Sequence, residues 1–188
     1  MQQLIERLRR DARTLGGHLV KVDGFLNHQV DTALLAQAGL HLARFFASAE
    51  ISKIVTAEAS GIVPAFATAQ ALNIPFIYAR KSRPLTMADN PLCAGVTSRT
   101  RGGAAELFLS REYLGPGDRV LVIDDFLGSG LTAAALGQMV QQSGASLCAF
   151  AFLVEKVYER GRLTLADFRL PVKTLALLDL TDSGLRVS

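Results

Sequence analysis

Cysteine is scarce in this chain: Cys93 and Cys148 are the only two, and neither has a partner at metal-ligand spacing or a Cys/His cluster nearby. A disulfide framework and a structural zinc site are thereby excluded, leaving two reduced thiols in a cytosolic protein. The chain also has no Lys/Arg block. Its 20 basic and 17 acidic residues are dispersed along the sequence for a net charge of +3, which suits anionic small molecules better than a nucleic-acid groove. The start, MQQLIERLRRDA, carries charges where an export signal needs an apolar core, so a cytoplasmic location is expected. A charge-free run at 59–79 is long enough to raise a membrane span, but Pro64, Gln70, Asn73 and Pro75 interrupt it. It reads as a buried helix followed by a strand, with no membrane partner.

What is present is a strongly apolar chain, 49% hydrophobic over 188 residues, the size of one domain around one core. No repeat, linker or second domain is visible. Short apolar runs at 53–57, 75–79, 120–123, 146–154 and 172–178 read as strands. Because they alternate with helical patterns, a mainly parallel α/β sheet is expected. Leu4, Ile5, Leu8, Ala12 and Leu15 repeat at helical spacing, with Gly16-Gly17 as the expected stop. Asp31 is placed to cap a second helix whose Leu34, Leu35, Ala38, Leu42, Phe45 and Phe46 face the core. Residues 84–111 have weak periodicity and turns at Asp89-Asn90-Pro91 and Arg101-Gly102-Gly103; 92–97 and 106–110 are expected to pair as a hairpin. So long an excursion between strands suits a mobile lid.

The chain is organised around RVLVIDDFLGSGLTAAALGQMVQQSG, residues 119–144. An aliphatic run ends in Asp124 and Asp125. A tight loop, Gly128-Ser129-Gly130, then leads through Leu131 and Thr132 into a helix with Leu136, Met139 and Val140 on one side and Gly144 as its stop. Small residues let backbone N–H groups approach an anion, hydroxyls add donors, and a helix start adds partial positive charge. The acids can take hydrogen bonds from sugar hydroxyls or face a hydrated Mg²⁺. A second strand, loop and helix unit follows the same plan, with Ser60 and Gly61 in its turn. Arg80, Lys81 and Arg83 come straight off the 75–79 strand and suit a polyphosphate. The stretch matches neither the P-loop nor the dinucleotide-binding glycine pattern.

Apolar run, two acids, two apolar residues, small loop, glycine and hydroxyl in that order resemble the phosphoribosyl pyrophosphate signature of the type I phosphoribosyltransferases. The resemblance implies their fold: a twisted, mainly parallel sheet flanked by helices, with a small hood at 1–50 and a flexible lid at 84–111 in a single domain of 1–188. It also implies a donor site formed by Asp124, Asp125, Gly128, Ser129, Gly130, Leu131 and Thr132 with Ser60 and Gly61, and Lys81 beside the leaving pyrophosphate. Mg²⁺ would be bound with the donor and not ligated directly by the protein, and the assembly would be a homodimer.

The likeness sharpens at KVDGFLNHQ (21–29), at Ala79-Arg80-Lys81 and at Val154-Glu155-Lys156, where it is closest to the bacterial xanthine-using branch. Val20, Asn27 and Lys156 would then line the purine, with Asn27 and Lys156 donating to the oxygens at C2 and C6. Val20 stands where leucine is expected, and Leu131-Thr132 replaces a more polar and small pair. Hypoxanthine-guanine relatives carry a third carboxylate three residues after the second acid; here that place is Gly128, which speaks against that class. No residue stands out as a general base. An adenine enzyme and a non-catalytic phosphoribosyl-pyrophosphate-sensing regulator remain as alternatives, the latter without any winged helix or basic face to bind nucleic acid.

Overall fold

The computed structural model describes residues 1–16, 19–98, 103–181 and 184–188. Gly17, Arg101 and Gly102, expected in turns, lie outside the described residues. In chain order the elements are α1 (Gln2–Asp11), β1 (Arg13–Thr14), β2 (Val20–Lys21), α2 (Thr32–Phe45), β3 (Lys53–Ala57), α3 (Ile62–Leu72) and β4 (Phe76–Ala79). There follow β5 (Leu92–Ser98), β6 (Gly103–Leu109), β7 (Arg119–Leu127), α4 (Leu131–Gln142), β8 (Ser146–Lys156), α5 (Gly161–Leu165), β9 (Val172–Thr181) and β10 (Gly184–Val187).

Alternation along the central strands decides the layers. Ile54, Leu121, Ile123, Ala149, Ala151 and Leu153 face one way, into a core with Leu4, Leu8, Leu35, Leu42, Ala65 and Ala69. Their neighbours Val55, Val120, Val122, Phe150 and Phe152 face the other way, onto Leu136, Met139 and Val140 of α4. Strands apolar on both faces need a layer on each side. Here α1, α2 and α3 cover one face, while α4, α5 and the β5–β6 hairpin cover the other. The sheet runs β10-β9-β8-β7-β3-β4, parallel except for β10, which returns antiparallel on β9. Sequence reading missed β10, a short alternating edge.

Several expectations are corrected. α1 stops at Asp11 because Ala12 turns extended, five residues before Gly17; β1 then pairs with β2, and Leu15 is exposed. Phe45 is exposed, resting beneath the Lys173 ammonium rather than in the core. β7 does not end at Asp124 but carries the acid pair within it, since its ladder with β8 continues to Leu127. Asp31 does cap α2, accepting from Leu34 N–H at 3.1 Å.

The 84–111 excursion contains the hairpin β5–β6, in register from Leu92↔Leu109 to Ser98↔Gly103. Its base is core, not free loop. Leu92, Ala94, Leu107 and Leu109 are buried, and Phe108 exchanges backbone hydrogen bonds with Arg80 at 2.8 and 2.9 Å. Among the described residues no helix is long and apolar enough to cross a membrane.

α2 packs tightly on α3 at Gly39, where a Cβ would come within 2.5 Å of the Ala67 carbonyl carbon and oxygen. Backbone cannot yield as a side-chain tip can, so Gly39→Val should destabilise the fold by about 1–3 kcal/mol. Urea unfolding with an unchanged midpoint would contradict the close packing of α2 on α3.

Candidate active site

β3 and β7 lie side by side and parallel, with Ile54 opposite Leu121. From β3 the chain crosses through α3 to β4 on the outer side, and from β7 through α4 to β8 on the opposite outer side. The two connections therefore part over the carboxyl ends of β3 and β7, and the strand order reverses there. Such a reversal opens the crevice in which open α/β sheets bind ligands.

Both helices beginning at this crevice start on glycine. α3 follows Gly61 and α4 follows Gly130, and neither has a side-chain cap or an acid in its first turn. α2, away from the crevice, has its Asp31 cap. Uncapped first-turn N–H groups with the positive ends of two helices flanking one crevice can accept an anion on each side. Gly130 has φ +79°, open to glycine at little cost. Gly61 is required by proximity. A Cβ there would lie 2.5 Å from Asp124 Oδ1 and 3.0 Å from the Ala57 carbonyl, and would collide with the Thr56 hydroxyl. The loop at 58–61, whose Glu58–Ala59 peptide is cis, is thus pressed against the acid pair of the neighbouring strand. The buried Thr56 hydroxyl beneath it has no hydrogen-bond partner among the described residues.

Asp124 and Asp125 are held from within. The Asp125 N–H donates to Asp124 Oδ1 and the Phe126 N–H to Asp125 Oδ1, both at 2.9 Å. Asp125 is buried, whereas Asp124 keeps partial exposure. Burial, then the Asp125 charge, push the Asp124 carboxyl well above its ordinary value, and the positive charge of Lys81 pulls in the opposite sense. The Lys81 side chain is exposed while its backbone N–H donates to Glu58 Oε1 at 2.7 Å. Glu58, absent from the expected site, therefore fixes the strand end that presents Lys81. Its other oxygen faces Arg80 Nε at 3.7 Å.

On the far side of β7, Lys156 ends β8. Its ammonium lies 5.2 Å from the centroid of the Phe126 ring and 3.3 Å from Glu159 Oε1. Lys156 is therefore not an isolated donor but half of a pair. The Glu159 carboxylate lies where a side chain on Gly128 would be, 2.9 Å from that residue's would-be Cβ. A third carboxylate is thus supplied in space although the sequence position holds glycine. Glu159 was missed because only its i,i+3 spacing from Lys156 hinted at it, and it lies in the turn after the strand that Lys156 ends. Val20 packs at the edge of the core that also includes Phe126, Phe25 and Leu26. Asn27 is exposed in the intervening turn and its amide has no partner among the described residues. The structure thus gathers Gly61, Asp124 and Lys81 on one side and Lys156, Phe126, Glu159 and Gly128 on the other. Asn27 stands on the separate amino-terminal segment with no bonded contact to either.

Among solved structures, the adenine phosphoribosyltransferase of Rhodothermus marinus aligns with a TM-score of 0.76 at 27% identity, covering 96% of this chain and 100% of that one. The APRTase of Giardia lamblia aligns at 0.77 with 17% identity, over 92% and 96%, a likeness of fold alone. The open parallel sheet with its crevice at the strand reversal is that of the type I phosphoribosyltransferases. No family model matches the chain. The xanthine phosphoribosyltransferase of Deinococcus deserti is 46% identical over 98% of this chain and 95% of its own, and that of Streptococcus pneumoniae 43% over the same shares. The chain belongs to the xanthine phosphoribosyltransferase family.

The acid pair carries a stability cost whose sign can be worked out. Between the ordinary carboxylate value of 3.8 and the raised one, the folded chain holds a proton on Asp124 that the unfolded chain has lost. Stability therefore falls as pH rises through that window, and the loss is complete above it. Asp124→Asn should stabilise the free protein at pH 7, by about 0.5–2 kcal/mol as such replacements commonly do. The gain should shrink toward pH 4. Urea melts showing Asn destabilising at pH 7 would mean the carboxylate is held favourably instead.

Proposed function

We propose that this chain transfers the 5-phosphoribosyl group of phosphoribosyl pyrophosphate to N9 of xanthine, giving xanthosine 5′-monophosphate and pyrophosphate. The observation that carries this reading is the acid pair between two uncapped, glycine-started helices: two anion sites separated by hydroxyl acceptors match a sugar bearing phosphate at one end and pyrophosphate at the other. The 5′-phosphate belongs to Gly128, Ser129, Gly130, Leu131 and Thr132, the ribose hydroxyls to Asp124 and Asp125, and the pyrophosphate to Ser60, Gly61 and Lys81.

Among the described residues no three His, Cys, Asp or Glu side chains gather to hold a metal ion. The mutual repulsion of Asp124 and Asp125 nevertheless suits a cation or its water shell arriving with the donor. Mg²⁺ bound there would neutralise charge on the pyrophosphate. In the reaction the C1′–pyrophosphate bond breaks as the N9 lone pair bonds to C1′, and charge develops at both ends. Fixed donors at the α3 start and the Lys81 ammonium stabilise the leaving group without reorganising.

The Lys156–Glu159 pair deepens the base assignment. A donor beside an acceptor is complementary to the 6-oxo and N7–H edge of an oxopurine, and adenine presents an amino group where the oxygen would be. The Glu159 carboxylate can also take the N7 proton that must leave once N9 is substituted. Asn27 then serves the C2 oxygen, which hypoxanthine lacks.

Pyrophosphate release measured with xanthine, guanine, hypoxanthine and adenine should give the highest kcat/KM with xanthine; a preference for adenine would overturn the assignment. In the same assay Asn27→Ala should lower kcat/KM for xanthine more than for hypoxanthine, whereas Lys156→Met should lower both alike. Equal losses from Asn27→Ala on the two bases would remove Asn27 from the C2 contact.

Lys81 has a separate signature. If its charge is used mainly as pyrophosphate departs, Lys81→Ala should cut kcat by about two powers of ten, comparable to loss of one preorganised donor, with little change in xanthine KM. An unchanged kcat with a raised xanthine KM would contradict this.

A further inference from the structure

Helix α5 packs against the back of the phosphate loop. The Thr164 hydroxyl donates to the Ser129 carbonyl at 2.7 Å. Gly161 packs so closely that a Cβ there would collide with the Gly128 carbonyl oxygen and lie 2.7 Å from Leu127 Cδ1. In turn, a Cβ on Gly130 would lie 2.6 Å from the Gly161 carbonyl. Two successive peptide planes of the loop thus turn their carbonyls toward α5. In a trans peptide the N–H points opposite to its own C=O, so the N–H groups of Ser129 and Gly130 are turned away from α5, together, as an anion-binding concavity requires.

α5 is itself anchored. Arg162 donates from Nε to both oxygens of the buried Glu155 at 2.8 and 2.9 Å and from Nη2 at 2.8 Å, and Thr174 adds a bond at 3.2 Å. Glu155 is the neighbour of Lys156 on β8. Planar, bidentate pairing of this kind holds orientation as well as charge.

We propose that α5 is a positioning brace for the phosphate loop: Thr164 and Gly161 aim the Ser129 and Gly130 N–H groups at the donor's 5′-phosphate, and the Arg162–Glu155 pair ties that aim to the strand bearing Lys156. This rests on the assignment of the 5′-phosphate to that loop. Thr164 touches no substrate; it acts through the Ser129 peptide.

The test uses the full chain and two readouts: ribose 5-phosphate binding by calorimetry, and KM for each substrate. Thr164→Val keeps the shape and removes the donor, so ribose 5-phosphate affinity should fall and the phosphoribosyl pyrophosphate KM rise by about five- to tenfold, the scale of one lost hydrogen bond. The xanthine KM should stay within twofold, and Thr164→Ser should restore both donor-side values. Should Thr164→Val not fold, Gly161→Ala makes the same test by displacing the Gly128 carbonyl. Unchanged donor affinity, or equal changes in both substrates' KM that Thr164→Ser does not rescue, would overturn the brace. Wild-type chain that turns over xanthine but does not bind ribose 5-phosphate would overturn it as well. Wild-type chain inactive on every purine would instead remove the functional reading on which it rests.

Discussion

The crevice depends on the close approach of the Gly61 backbone to the Asp124 carboxylate, across the seam between β3 and β7. The parallel register of these strands puts a glycine turn from one βα unit against an acid in the other. Any side chain at 61 would force the loops apart, and with them the two helix starts that flank the acids. The separation of the two helix starts is therefore set where a backbone meets one short, fixed side chain, which is stiffer than a contact between two long ones.

Around that contact the site is charged against its own stability. Two carboxylates share a strand, one buried and one pushed well above the ordinary carboxylate range, with the Lys81 charge as partial relief. Neither α3 nor α4 satisfies its first N–H groups with its own side chains. A donor that brings anions to the helix starts and hydroxyls to the acids would supply the missing partners, so binding relieves features that folding leaves unfavourable. The groups at the end of β8 are instead paired within the protein, Lys156 with Glu159 and Glu155 with Arg162. These groups are pre-oriented, so less ordering would remain to be done on binding a ligand there.

The order of the central elements was legible because the strands are short apolar runs separated by helical patterns. β3 was located to the residue and the signature helix to within a turn, and Asp31 announced the start of α2. What escaped were decisions made by pairing. β7 continues beyond its acids because β8 offers a partner as far as Glu155. α1 stops early because the chain turns to form β1 with β2. Phe45 lies outside the core although its helical period points inward, since the layer it would enter is already filled by Leu42 and Phe46.

For the site, residue order alone determined the two glycine turns that open helices, the acid pair and the exposed Lys81 at a strand end, because a strand, glycine turn and helix place their own backbone donors whatever surrounds them. Local chemistry of that kind survives translation into any parallel sheet. Tertiary structure alone decided that the Ser60-Gly61 turn meets the acids, that Glu58 holds the strand end of Lys81, that Glu159 fills the space beside Gly128, and that α5 stands behind the loop at 128–130. These are contacts between segments brought together by strand order, and the distance along a chain carries no record of which edges will lie side by side.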